Sequence, residues 1–186
     1  MNCYDFDKTI YKNDSSTDFY CFCLLRHPKI LRRLPRQLGA CIRHYAARSI
    51  TKTQMKEIFY EYFQDIFDMD KAVSEFWKKN IHKIKSFYHE QKQADDVIIS
   101  ASPTFFLEPA CKIVGIKHLI ASPVDAKTGH HTGENCHGEE KVRRFREIFP
   151  DAIVNEFYSD SYSDTPMAKL AEKAYLVKGE KVTDWK

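Results

Sequence analysis

The strongest constraint on this chain is the spacing of its short, uninterrupted apolar runs. One closes at Tyr4, and the next, Val97 to Ser100, follows a long stretch in which apolar residues recur at helical steps. From there the runs crowd together as HLIAS (His118 to Ser122), IVNEFYS (Ile153 to Ser159) and AYLV (Ala174 to Val177). Helical patterns at Thr104 to Val114, Glu139 to Phe149 and Pro166 to Lys173 lie between them. Short apolar runs bounded by polar residues suit strands buried on both faces, and their alternation with helices predicts an α/β domain with a parallel sheet. The first strand is thereby separated from the second by a helical insert of about 75 residues.

Within the insert, Met55, Ile58, Phe59, Tyr62, Phe63 and Ile66 share one helical face, and Thr51 with Gln54 reads as a capping box. Val73, Phe76, Trp77, Ile81, Ile84 and Tyr88 predict a second helix that starts at a cap on Asp70. Pro35 is expected to kink or divide an earlier helix. The predicted organisation is a core made of residues 1–14 and 94–186, with residues 15–93 as the insert. A length of 186 residues accommodates this and excludes two large independent domains. Phe59, Tyr60, Phe63 and Trp77 are expected in the interior of the insert, with a share of them lining a pocket.

No apolar run approaches the roughly 18 residues of a membrane span, and MNCYDFDKTI lacks the build of a signal peptide, so a cytoplasmic protein is expected. The six cysteines then read as reduced thiols. The piece VDAKTGHHTGENC, with two Thr-Gly pairs, predicts a small hairpin. Its His130 to His137 segment fits no zinc spacing, so its histidines are expected to be incidental.

Twenty-nine basic against 26 acidic residues leave a net charge of +3, which excludes a protein basic throughout. The average conceals an asymmetry. Between Phe19 and Lys56 stand Arg26, Lys29, Arg32, Arg33, Arg36, Arg43, Arg48, Lys52 and Lys56, with no Asp or Glu. Helical spacing puts Lys29, Arg32, Arg33, Arg36 and Arg43 on one face and Leu31, Leu34, Leu38, Cys41, Ile42 and Tyr45 on the other. Two readings stay open. The stretch could lie on an anionic membrane surface through residues 26–56, or the apolar stripe could pack inside while the basic face is solvated. Nucleic acid is a third, less favoured partner.

The polar chemistry gathers where the strands end, which is where open parallel sheets bind ligands. The first strand runs into Asp5, Phe6, Asp7, Lys8 and Thr9; the second into Ser100, Ala101 and Ser102; the fourth into Asp160 to Asp164. Lys141 opens a helix after Gly138. Carboxylates so close would repel without a cation, and oxygen-only ligands suit Mg²⁺. A hydroxyl and a lysine beside them supply what a phosphoryl group needs.

This ordered set, DxDxT, a serine closing an apolar run, a lysine, then DxxxD, resembles the haloacid dehalogenase superfamily of phosphohydrolases over essentially the whole chain. The resemblance implies a Rossmann-like parallel sheet with an inserted α-helical cap, as in the phosphoserine-phosphatase-like branch. It implies a phosphate monoester substrate and Mg²⁺ as cofactor. Asp5 would be the nucleophile that becomes an aspartyl phosphate, Asp7 the general acid and base, and Thr9 the residue that orients Asp7. Ser100 and Lys141 would hold phosphoryl oxygens. Asp5, the Asp7 main-chain carbonyl and Asp160 would bind the metal, with Asp164 supporting through Lys141 or a metal-bound water. Ala101 and Ser102 join Ser100 in the expected phosphate loop. Lys8 stands where the family most often has glycine. Asp14 occupies the place of a glutamate that meets a substrate amino group; as a residue it could equally be a helix cap. The runs NCHGEEKVRRF, FYSDSYSDTPM and HLIAS resemble the phosphatidylglycerophosphatase C branch, which implies a lipid phosphate, peripheral to the inner face of the membrane. The alternatives are phosphoserine or another small soluble phosphate, or a binding module whose catalytic site is idle.

Overall fold

A computed structural model describes all 186 residues. Its sheet has six strands, β1 (Asn2–Tyr4), β2 (Val97–Pro103), β3 (His118–Ser122), β4 (Val154–Ser159), β5 (Ala171–Lys178) and β6 (Lys181–Asp184). Their order is β3-β2-β1-β4-β5-β6, parallel except for the β5–β6 pair. From β1 the chain builds outward first through β2 and β3, then returns to the other side of β1 for β4 and β5. That reversal opens a crevice beyond the carboxyl ends of β1 and β4.

Between β1 and β2 come α1 (Ser15–Arg26), α2 (Leu34–Tyr45), α3 (Lys52–Tyr60), α4 (Met69–Asn80) and α5 (Ser86–Gln91). After β2 follow α6 (Thr104–Val114), α7 (Glu139–Ile148) and α8 (Thr165–Leu170). The Thr51–Gln54 capping box is present in both directions. Asp68, not Asp70, caps α4 by accepting from the Lys71 N–H at 2.9 Å. Each of the two long helices read from periodicity is cut short. A 3₁₀ turn at Glu61–Asp65 follows α3, and extended backbone at Ile84 divides α4 from α5. Side-chain periodicity survives such breaks because both pieces still bury the same stripe. Pro35 sits in the first turn of α2, after a 3₁₀ turn over Pro28–Arg33, so it divides the segment rather than kinking it.

Near the end of the chain two elements differ from expectation. The helix read over Pro166 to Lys173 stops at Leu170, because Ala171 already pairs with Val154 of β4. Strand β6 has no apolar run to announce it, since all four of its residues are exposed.

The insert and the sheet share one interior. Trp77 of α4 is fully buried, packs on Phe6, Tyr11, Phe76 and Phe106, and donates its indole N–H to the Phe106 carbonyl at 2.6 Å. Tyr60, Phe63 and Trp77 are core, as expected, while Phe59 is only partly buried. The expected hairpin is present as a single bridge, Val124 to His131. Its tip lies against α3. Gly129 has φ +80°, and a Cβ there would lie 2.5 Å from the Tyr60 carbonyl oxygen, so glycine is required on two counts. The histidines nearby are not incidental to packing: the His131 ring is buried against Tyr60 while its main-chain N–H donates to Glu57 of α3 at 2.9 Å, and His137 meets Lys52.

Helix α2 contradicts the reading in which its apolar stripe packs inward. Gln37 and Ala40 are its buried residues, while Leu34, Leu38, Ile42 and Tyr45 are exposed. Gln37 accepts from the Tyr20 hydroxyl at 2.9 Å and donates to the Phe59 carbonyl at 3.0 Å. Those two bonds hold the polar side in.

Candidate active site

The three-residue strand β1 ends at Tyr4, so Asp5 enters the crevice directly and its N–H is held by the Tyr158 carbonyl of β4 at 2.8 Å. Lys8, three residues on, has φ 59°. That left-handed turn sends the chain back beneath the site and accounts for a glycine preference at this position; a lysine there costs roughly 1–2 kcal/mol. The strain is held by neighbours, since the Lys8 carbonyl accepts from Lys85 Nζ at 2.6 Å and its N–H donates to the Asn13 carbonyl at 2.9 Å.

Lys141, in the first turn of α7, is 1% exposed and lies between two carboxylates. Its Nζ is 2.7 Å from Asp5 Oδ1 and 2.8 Å from Asp164 Oδ2, and Ser159 Oγ donates to Asp164 Oδ2 at 2.8 Å. Burial pushes the Asp5 carboxyl up to about 7 against the pull of Lys141, whereas the two carboxylates hold Lys141 above the ordinary lysine range. Both directions leave the proton on Lys141, since its value stays above that of Asp5. A cation hydrogen-bonded to two carboxylates in a buried site favours the ionised triad, because a neutral Lys141 would leave both acids with less than they need.

Asp7 is fixed differently. Its oxygens accept from Ser102 Oγ at 2.6 Å and from the Ser15 N–H at 2.7 Å. Burial, followed by the nearby Asp14 charge, raises its carboxyl to about 6, and the two donors oppose that rise. Thr9, expected to orient Asp7, instead donates to Asp5 Oδ2 at 3.3 Å and accepts from the Asp160 N–H at 2.9 Å. It therefore ties the end of β1 to the end of β4. Ser100 Oγ accepts the Ser102 N–H at 3.1 Å, which leaves its own hydroxyl hydrogen to donate into the crevice. The Ala101 carbonyl accepts from Lys56 Nζ at 2.7 Å and Ser122 Oγ at 3.0 Å.

These groups line one cleft of about 400 Å³, a size suited to a small ligand or headgroup. Asp5, Asp7, Asp14, Ser100, Ala101, Ser102, Lys141, Asp160 and Asp164 all contribute to its wall, so the structure brings together every expected residue except Thr9, which lies behind them. Asp14 caps α1 through the Thr17 N–H at 2.8 Å, and both readings of it are geometrically served because it also borders the cleft.

No three His, Cys, Asp or Glu side chains form a metal-holding group. The donor chemistry nevertheless fits Mg²⁺. The Asp160 carboxylate accepts no hydrogen bond, Asp5 Oδ2 accepts only the long one from Thr9, and Mg²⁺ commonly takes one or two carboxylates and keeps several waters. Asp164 Oδ2 is taken by Lys141 and Ser159, which ties it to the site through Lys141, while its Oδ1 carries no hydrogen bond and stays free for a metal-bound water. The Asp7 side chain is likewise occupied, leaving only its main-chain carbonyl for a cation.

Among the cleft residues that sequence reasoning did not place there are the charged or titratable Lys52, Lys56 and His137. Lys56 is held by two neutral acceptors, the Ala101 carbonyl and Asn135 Oδ1 at 3.2 Å, and burial followed by the charge of Lys52 lowers it to about 8. Lys52 Nζ is 2.9 Å from His137 Nε2. An ammonium can only donate, so Nε2 accepts and the ring is neutral; burial, then Lys52, lowers His137 to about 4. The one available signal was the four-residue spacing of Lys52 and Lys56 on the amphipathic helix that also carries Met55 and Phe59.

A family model described as haloacid dehalogenase-like hydrolase matches residues 3–169. Protein CicA of Caulobacter vibrioides is 36% identical over 93 residues, which cover 46% of this chain and 42% of that protein. A Mycobacterium tuberculosis protein named "Probable phosphatase" is 31% identical over 96 residues, covering 48% of this chain and 33% of the relative. Each match thus spans less than half of the relative's length. Among solved structures, a Bordetella pertussis protein of unknown function superposes with a TM-score of 0.70 at 21% identity, covering 94% of this chain and 87% of that one. That likeness shows the fold.

Proposed function

Because this chain belongs to the haloacid dehalogenase-like hydrolases, we propose that it is a Mg²⁺-dependent phosphatase that cleaves phosphate monoesters through an aspartyl phosphate on Asp5. The observation that carries the reading is the convergence of Asp5, Asp7, Ser100, Lys141 and Asp160 on one cleft at the point where the sheet order reverses. A relative named as a phosphatase supports it.

An Asp5 carboxylate oxygen attacks phosphorus, and the phosphorus–oxygen bond to the substrate alcohol breaks. Asp7 gives its proton to the departing oxygen. Asp7, now ionised, takes a proton from water as that water attacks phosphorus; the bond to Asp5 breaks, and inorganic phosphate leaves. Ser100 and Lys141 donate to phosphoryl oxygens throughout, and Lys141 lowers the cost of ionised Asp5 beside an anion. A Mg²⁺ ion held by Asp5, Asp160 and the Asp7 carbonyl would neutralise charge on the phosphoryl group. Residues 15–93 act as the cap, and Lys52 and Lys56 add positive charge from that side.

For substrate we favour a lipid phosphate of the phosphatidylglycerophosphate kind, met at an anionic membrane surface. The cleft's wall away from Asp5 includes Cys41, Tyr45, Met55 and Phe59, and Cys41 and Tyr45 belong to α2, whose apolar side is exposed. Phosphoserine is the second reading, supported by Asp14, whose second oxygen is left free at the cleft to meet an ammonium group. A Mg²⁺-dependent screen over soluble and lipid phosphate monoesters tests both. Asp5→Asn should lower turnover on the order of 10³-fold or more, and wild-type turnover by that variant would sink the nucleophile assignment.

A further inference from the structure

We propose that the outer face of α2 and the 3₁₀ turn before it is a docking surface for an anionic lipid bilayer, set at the rim of the active-site cleft. Leu31, Leu34, Leu38, Ile42 and Tyr45 are 51%, 39%, 56%, 64% and 70% exposed. They recur at steps of three and four residues, so they form one ridge along the segment. The opposite face is narrow and polar, held in by Gln37 and by the contact of His44 Nδ1 with the Ile50 carbonyl at 3.1 Å. The segment is therefore turned inside out relative to a helix of a water-facing surface, and contiguous apolar exposure on this scale marks an interaction site.

Charge selects the occupant. Four of the nine cations between Phe19 and Lys56 are engaged by three acids elsewhere in the insert: Arg26 by Glu75, Arg32 by Asp65, Arg33 by Asp65 and Glu61, and Arg36 by Glu61. Lys52 and Lys56 face the cleft. Lys29, Arg43 and Arg48 remain, exposed and without an ion-pair partner; Lys29 and Arg43 stand on the side of the segment away from the ridge, and Arg48 lies three residues past the end of α2. An exposed apolar ridge on a helix of 12 residues, in a segment whose unpaired charges are all positive, fits a helix lying in the plane of an anionic interface, and no helix here is long and apolar enough to cross a membrane. A second copy of the chain fits poorly. A two-fold contact through this face would bring the same three cations of each copy together, with no carboxylate between Phe19 and Lys56 to pair them. Docking by this face would put Cys41 and Tyr45, and with them the cleft mouth, at the lipid surface.

The value of such docking rests on the lipid-phosphate reading, but the docking is measured without turnover. Full-length protein would be sedimented with vesicles of phosphatidylcholine alone or with about one-third phosphatidylglycerol, at low and high salt. The expected result is at least tenfold stronger partitioning to the anionic vesicles, weakened by salt. The Leu38→Glu/Ile42→Glu double variant and the separate Arg43→Glu variant should each lose at least tenfold. Neither change touches a residue placed in the catalytic site, so circular dichroism and hydrolysis of a soluble aryl phosphate should remain at wild-type levels and report an intact fold. Equal partitioning of wild type and both variants, or no preference for anionic vesicles, overturns the proposal. So does a wild-type dimer that the double variant splits while vesicles go unbound. Vesicle binding that the variants abolish, in a protein that turns over no phosphate, supports the docking and removes the phosphatase reading instead.

Discussion

Replacing Lys141 by methionine tests the electrostatic core of the site without requiring a substrate. The side chain keeps most of its length, but Asp5 and Asp164 lose the cation that sits 2.7 and 2.8 Å from them. At an effective dielectric near 20, each contact is worth about 6 kcal/mol of Coulomb attraction before desolvation is charged against it. Removing one member of a buried ionic group costs about 3–5 kcal/mol net. Against a total stability of about 5–15 kcal/mol, Lys141→Met should be the most destabilising single polar change in the core. The pH dependence follows from the sign of the shifts. In the wild type the raised Lys141 value means its contribution is complete below the ordinary lysine range and is lost only as pH rises through the higher folded value. In the variant two buried carboxylates face each other, both are pushed above their unfolded values, and the folded state gains stability by taking up a proton as pH falls. The deficit should therefore exceed 3 kcal/mol near pH 8 and shrink by about 1 kcal/mol or more near pH 5. Urea unfolding followed by tryptophan fluorescence, in chelator so that no cation substitutes for the ammonium, measures both. Adding Asp164→Asn to the variant should return at least about 1 kcal/mol by removing one of the opposed charges. A loss below about 1 kcal/mol that is flat with pH, unchanged by the second substitution, would refute the ionised triad.

Two further changes probe the packing elsewhere, one at the amino end of β2 and one beside α3. Asp96 is 1% exposed, with Oδ1 lacking any partner and Oδ2 accepting from the Gln93 N–H at 2.8 Å; burial pushes it up to about 6. A raised acid favours the folded state as pH falls from that value toward the ordinary one, so Asp96→Asn should stabilise by about 1–2 kcal/mol at neutral pH and by little near pH 4, read from paired urea titrations. Gly129→Ala places a methyl group 2.5 Å from the Tyr60 carbonyl at φ +80°, and thermal unfolding should show a loss of about 2 kcal/mol or more.

The floor of the cleft was legible in the sequence because the motifs fix residue types at fixed distances from strand ends. DxDxT, Ser100, Lys141 and the Asp160–Asp164 pair could each be assigned to a strand or helix terminus, and the parallel sheet then placed them together. What the pattern could not give was hydrogen-bond identity. Thr9 serves Asp5 rather than Asp7, and Ser15 and Ser102 hold Asp7, because those contacts depend on how α1 and β2 approach the turn after β1. Element ends were equally hidden. AEKAYLVK opens with good helix formers, so only its pairing with β4 reveals a strand from Ala171.

Periodicity finds the faces of a helix but not which one looks inward, and α2 shows what decides. Apolar stripes ordinarily point to the core because burying them is the larger gain. Here the inward positions lie against the Tyr20 hydroxyl and the Phe59 carbonyl, polar groups that would be costly to bury without partners, and Gln37 is the residue that satisfies both. The same tertiary information sorts the nine cations, which are alike in sequence. Asp65 and Glu61, brought beside Arg32, Arg33 and Arg36 by the turn after α3, convert three of them into internal ties. Lys52 and Lys56 are turned by α3 toward Asp5 and Asp7, and only Lys29, Arg43 and Arg48 have neither an ion-pair partner nor a place at the cleft. With four arginines set against three carboxylates and two lysines turned to the cleft, a count of basic residues between Phe19 and Lys56 overstates the outward charge of that stretch about twofold.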